Sequence, residues 1–274
     1  MTTELVKLSH SRIKTYQTCQ RKFYWEYVRR IVPSGRSYPL EFGLAWHLAM
    51  GKWHHHRDLG QAIAAFNATF LDGEDRKRTQ DTAKVMLTKY AERYPEEPFT
   101  ITATERWIEQ PLGPVLYRVR VDHLISWQGE PQILEHKTTS SLGFHFLKSF
   151  KPNTQVVGGI WAARKEFDGP INTMVIDIAL VTKLEPRDGD RFVRYPEVVE
   201  DWQLEEFESY IVDVGTEIQL KGPEFEEYTP NWGACTQYGE CPYRRLCVVP
   251  HSVRENVIAA EYQPRPAEES YADT

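Results

Sequence analysis

Long apolar runs are missing from this sequence. Nowhere among its 274 residues do the roughly 18 uninterrupted apolar residues of a membrane helix occur, and the opening stretch MTTELVKLSHSRIK has no apolar signal-peptide core. A soluble, cytoplasmic protein with no membrane partner is expected. Cysteine is scarce, at four residues, which excludes a disulfide-dense secreted scaffold. Internal repeats are absent as well. So is a positive net charge: 33 Lys and Arg against 39 Asp and Glu leave −6, which argues against a nucleic-acid partner if averaged over the chain. The average hides an asymmetry. Residues 1–36 hold eight basic side chains against Glu4 and Glu26, a local balance of +6, so the remainder carries −12. Much of that acid falls in 200–230, with ten Asp or Glu and one Lys, and reads as a solvated helix face.

What is present organises as helices, then strands, then a mixture. Ser9 or Ser11 can cap a first helix over SRIKTYQTCQRKFYWEYV, possible to break near Cys19, and a loop at Pro33 to Pro39 ends it. Helices are predicted over 40–57 and 76–93, the latter stopped by Pro95. From Thr100 the texture becomes β: ITATERWIEQ, VLYRVRVDHLISW and PQILEHKTT, joined by turns at Gly113 and Gly129, form an antiparallel meander. A helix at 153–167, an apolar strand INTMVIDIALVT, a short strand at 191–195 and an amphipathic helix at 198–220 follow. This order fits an α/β core sheet with helical additions at both ends.

Within ILEHKT, strand alternation sends Ile133, Glu135 and Lys137 to one face and Leu134 and His136 to the other. Glu135 and Lys137 then lie roughly 6.6 Å apart along the strand. Asp122 in VRVDHLI sits on the preceding strand, and a hairpin near Gly129 can bring it beside Glu135. Two carboxylates and an amine on adjoining strands suit phosphodiester hydrolysis: hard oxygen ligands hold Mg²⁺ or Mn²⁺, and the lysine orients or deprotonates water. Taken alone, Glu-x-Lys beside an Asp is an ordinary surface pattern. The three consecutive histidines, His54 to His56, fan out around a helix and cannot converge on one ion, so they read as a solvated face.

The fragments LSHSRIKTYQTCQRKFYWEYV, GLAWH, YRVRVDHLI, ILEHKT and the terminal cysteines, in this order, resemble the PD-(D/E)xK nuclease superfamily in its RecB-like, CRISPR-associated-type exonuclease branch. The resemblance implies a restriction-endonuclease-like α/β core and a single nuclease domain over 1–251. That domain would comprise a helical portion at 1–95, a catalytic core at 100–220 and a cysteine segment at 222–251, with a flexible tail over 252–274. It implies that His47, Asp122, Glu135 and the backbone carbonyl of His136 ligate the metal, and that Lys137 is the catalytic lysine. An imidazole ligand tilts the site toward Mn²⁺. Gln155 matches the glutamine of the family's Gln-x-x-x-Tyr motif, but Gly159 stands where its tyrosine would be, and Trp161 reads as core. Glu105 is a further acidic position compatible with the family.

Cys235, Cys241 and Cys247 lie within thirteen residues, while Cys19 stands alone near the other end. Such clustering suggests metal ligation. The resemblance implies a [4Fe-4S] cluster on these four thiolates, fastening the chain ends, with structural Zn²⁺ as the competing centre. The implied activity is exonucleolytic cleavage of DNA, single-stranded DNA first, in phage or prokaryotic repair or recombination alongside partner proteins. Tyr16, Arg21, Lys22 and Tyr24 would bind bases and phosphates. A non-catalytic DNA-binding subunit of a recombination complex is the alternative.

Overall fold

Cys19 adopts an extended backbone (φ −167°, ψ 117°), which breaks the first predicted helix in two. The computed structural model describes residues 4–266 apart from 168, 184–185, 187–190 and 238. From the N-terminus come β1 (Val6–Leu8), α1 (His10–Thr18), α2 (Gln20–Phe23), a π-helical turn (Tyr24–Val28) and β2 (Ile31–Pro33). Next are α3 (Tyr38–His56), α4 (Leu59–Thr69) and α5 (Gln80–Arg93). The strands β3 (Phe99–Leu112), β4 (Val115–Trp127) and β5 (Glu130–Thr139) precede α6 (Phe144–Lys148) and α7 (Thr154–Phe167). The chain continues through β6 (Thr173–Leu180), β7 (Phe192–Val198), α8 (Asp201–Gln219), α9 (Arg244–Val248), α10 (His251–Glu261) and β8 (Tyr262–Pro264).

The sheet runs β1-β4-β5-β6-β7, with β3 also paired to β4. The β4–β5 hairpin closes through Gln128 (φ 55°) and Gly129 (φ 87°), the two positive φ values that a type I′ turn requires. This places Trp127 opposite Glu130 and His123 opposite Leu134. β5 and β6 are parallel, with Glu135 opposite Ile176 and Lys137 opposite Ile178, and α7 belongs to the crossover between them. The expected α/β architecture, a central mixed sheet flanked by helices, is the one found. No helix among the described residues is long and apolar enough to cross a membrane.

The chain divides into two compact units. The first gathers residues up to Arg36, 113–115, and those from Ile211 onward. Its core is aromatic: Tyr16 meets Phe23, and Tyr24 meets Trp25, Phe225 and Tyr228. β2 pairs antiparallel with β8, and Tyr243 donates its hydroxyl to the Ile31 carbonyl at 2.8 Å. The tail predicted from 252 is therefore corrected for 252–264: α10 and β8 occupy it because this pairing satisfies the backbone. Its tip, 267–274, lies outside the described residues.

The second unit, 37–112 and 116–210, holds the other core. Phe42, Trp46, Met50 and Trp53 recur at helical spacing on α3 and pack with Phe66, Phe70, Met86 and Tyr90. α4 escaped the sequence reading, although Asp58 caps it by accepting the Gln61 N–H at 3.1 Å. Close approach explains Gly158 on α7: an added Cβ would stand 2.1 Å from the Tyr117 hydroxyl and 2.7 Å from the Phe207 ring.

Candidate active site

All the residues of this site belong to the second unit. Asp122 on β4 and Glu135 on β5 are buried, at 3% and 5% exposure. α3 brings His47 to them, with Nδ1 2.9 Å from Asp122 Oδ2. The same oxygen accepts the His136 backbone N–H at 2.8 Å, so a ladder donor is turned onto a side chain. Lys137 Nζ and Gln155 Nε2 both donate to Glu135 Oε1, each at 2.7 Å. Gln155 sits in the first turn of α7, where its own N–H donates to Asn153 Oδ1 at 2.8 Å.

The two carboxylates are not equivalent. Burial works to raise Asp122, yet the charge and hydrogen bond of His47, aided by His136 and Lys137, hold it well below the usual carboxylate range. For His47 the balance is reciprocal: burial lowers its pKa, and Asp122 overrides that and raises it. Glu135 is raised, first by burial and then by the charge of Asp122, with Lys137 and His47 only partly compensating. Negative charge is thus poorly matched where Asp122 and Glu135 meet.

Glu105 occupies a position with φ 51° on β3 and pairs with Arg120 Nε at 3.2 Å. Burial raises its pKa, and Asp122 is among the charges acting on it. At Gly159 an added Cβ would meet the flexible end of Met174, Cε, at 2.8 Å. Trp161 is core, as read, and donates its indole N–H to Glu208 at 2.7 Å.

Other expectations need correction. Tyr16 and Tyr24 are 3% and 6% exposed within the aromatic core, so neither presents a face on which a base can stack. Arg21 is directed to the Tyr228 carbonyl and the Phe225 ring, while Lys22 is half-buried. The solvated-face reading holds for His55 and His56 but fails for His54, which turns inward and is 8% exposed. The four cysteines all belong to the first unit, and Cys19 Sγ accepts the Asn231 N–H at 3.4 Å. Their ligand atoms do not close into a metal-holding group as they stand, although Cys19 is among the charges acting on both Cys241 and Cys247.

The site is built from residues spread over α3, β4, β5 and α7. The sequence pattern of the PD-(D/E)XK nuclease superfamily matches residues 7–248. The chain belongs to that superfamily. Divalent metal dependence is general to its members. No curated protein matches the sequence. Among solved structures, a candidate exonuclease from Eubacterium rectale aligns over 91% of this chain and 92% of its own, at 14% identity and a TM-score of 0.54. At that identity the likeness bears on the fold alone. The alkaline exonuclease LHK-Exo of Laribacter hongkongensis aligns over 66% of this chain and 94% of its own at 12% identity, but its TM-score of 0.33 carries no argument.

Sequence reasoning missed a buried polar group beside this superfamily site. Tyr90 donates to Asp177, Arg194 pairs with Glu97 at 2.6 Å, and His54, His123 and His136 cluster next to them. Strand alternation was the available signal, since His123 and His136 follow Asp122 and Glu135 directly.

Proposed function

We propose that this chain is a divalent-metal-dependent DNA exonuclease of the RecB-like branch, acting first on single-stranded DNA in phage or prokaryotic repair or recombination. The observation that carries the reading is the convergence of His47, Lys137 and Gln155 on the buried pair Asp122 and Glu135. His47, Asp122, Glu135 and the His136 carbonyl would hold Mg²⁺ or Mn²⁺. Such an ion, when bound, acidifies water and polarises the scissile phosphate. Lys137 orients the attacking water and offsets charge on the phosphate in the transition state. Gln155 fixes the Glu135 carboxylate by holding the oxygen that Lys137 also holds.

DNA binding and DNA cleavage, each measured with and without Mn²⁺, test the proposal. Cleavage that requires the metal supports it. Binding without cleavage at saturating Mn²⁺ would favour the non-catalytic DNA-binding subunit instead.

For Cys19, Cys235, Cys241 and Cys247 the proposal is a shared [4Fe-4S] centre. Four thiolates are the number it needs, and both ends of the chain enter one unit. Thiolates on a single zinc would stand about 3.8 Å apart, given a Zn–S distance of about 2.3 Å. Brown protein with stoichiometric iron after anaerobic purification supports the cluster. Native, stable, metal-free protein whose thiols all react with a labelling reagent would refute it.

A further inference from the structure

His54 on α3, His123 on β4 and His136 on β5 meet in the interior of the second unit, each buried. Each offers a ring nitrogen, and these nitrogens all lie within 4.8 Å of one another. The ring centroids form a nearly equilateral triangle, with sides of 4.9 Å (His54 to His123), 5.2 Å (His54 to His136) and 5.2 Å (His123 to His136). Three imidazoles on one tetrahedral ion, with Zn–N of about 2.0–2.1 Å, place their centroids roughly 5 Å apart.

The outer nitrogens are arranged as ligating histidines arrange them. His54 Nδ1 faces Glu97 Oε1 at 3.8 Å, His123 Nδ1 faces Thr104 Oγ1 at 3.3 Å, and His136 Nδ1 faces Asp177 Oδ2 at 3.3 Å. Where Nδ1 is directed at an oxygen, Nε2 is the ring nitrogen left to meet an ion. Nε2 of His54 and Nε2 of His136 have no hydrogen-bond partner, although these side chains are about 1% exposed. Buried polar atoms without partners are costly, and a cation at the centre of the triangle would satisfy the inward ones.

We propose that His54, His123 and His136 bind one zinc-type divalent ion, forming a second metal centre that ties α3 to β4 and β5. Imidazole-only ligation selects zinc and its neighbours over magnesium or calcium. The tied elements are those that carry His47, Asp122 and Glu135, so the centre would hold the catalytic scaffold in register without touching DNA. The inference stands on the triangle and does not require that the chain cleave DNA.

Co²⁺ is the probe, added to full-length, chelator-stripped protein. The expected result, in Asp122→Asn as in the wild type, is a Co²⁺ ion with visible d–d absorption and no near-ultraviolet thiolate charge-transfer band. That absorption should be lost in His54→Asn and His123→Asn and kept in Asp122→Asn. In water, proton NMR of the cobalt-loaded wild type should show three strongly shifted exchangeable N–H signals that vanish in D₂O, one for each outer Nδ1. This readout needs no variant to fold. Undiminished d–d absorption in a folded His54→Asn protein, or fewer than three shifted N–H signals in the wild type, would overturn the proposal.

Discussion

Neighbouring residues of β4 and β5 serve two different environments. Asp122 and Glu135 face donors: an imidazole and a backbone amide on one carboxylate, an amine and a carboxamide on the other. One residue further along each strand, His123 and His136 join His54, where ring nitrogens of His54 and His136 go without partners. The first cluster is charged, with metal-free contacts that a cation or substrate must rearrange. The second gathers three buried imidazoles beside Glu97, Asp177 and Arg194. The difference teaches that a strand's alternation can separate a reactive site from a structural one across a single peptide bond.

The largest expected effect lies in the first cluster. Glu135→Ala and Lys137→Ala should each lower DNA cleavage by on the order of 10³-fold or more, because both groups act on the transition state. Their circular dichroism spectra should match the wild type. A folded Glu135→Ala protein that cleaves at wild-type rate would break the assignment and, with it, the contrast between the two sides.

His47→Ala should have a smaller and recoverable effect. Removing one of several ligands should raise the Mn²⁺ concentration needed for half-maximal cleavage by on the order of 10–100-fold, with partial rescue at high Mn²⁺. An unchanged metal requirement would reduce His47 to a packed partner of Asp122.

Gly158→Ala should leave the metal requirement alone and act on stability. The new methyl would press on the Tyr117 hydroxyl and the Phe207 ring, and overpacking of this kind costs about 1–3 kcal/mol. A lowered Tm with unchanged Mn²⁺ dependence is the expected pair of results. If the metal dependence shifts as well, the seat of α7 governs how Gln155 meets Glu135, and packing and chemistry are less separable than the two clusters suggest.

Much of the first cluster was legible in the sequence. The hairpin at Gly129 and the alternation of ILEHKT place Glu135, Lys137 and Asp122 without any tertiary information, and the order of motifs supplied His47 and Gln155. The second cluster was not legible because its members share no spacing. His54 becomes a neighbour of His136 only when α3 lies along β5, and a run of three histidines on a helix hides which one turns inward. Tyr16 and Tyr24 illustrate the converse, since helical spacing alone does not separate an exposed aromatic face from a core, and Phe225 and Tyr228, some 200 residues later, make it a core. α10 and β8 were missed because the strand partner of β8 is β2, at the far end of the chain.

The central claim is that Asp122 and Glu135, with His47, hold a catalytic cation. Anomalous X-ray diffraction from Mn²⁺-soaked crystals tests it most directly, because manganese scatters distinctly and locates itself. The account predicts a manganese peak within ligand distance of His47, Asp122, Glu135 and the His136 carbonyl. A DNA-cleaving protein whose crystals bind Mn²⁺ elsewhere and leave these four groups without a peak would contradict it.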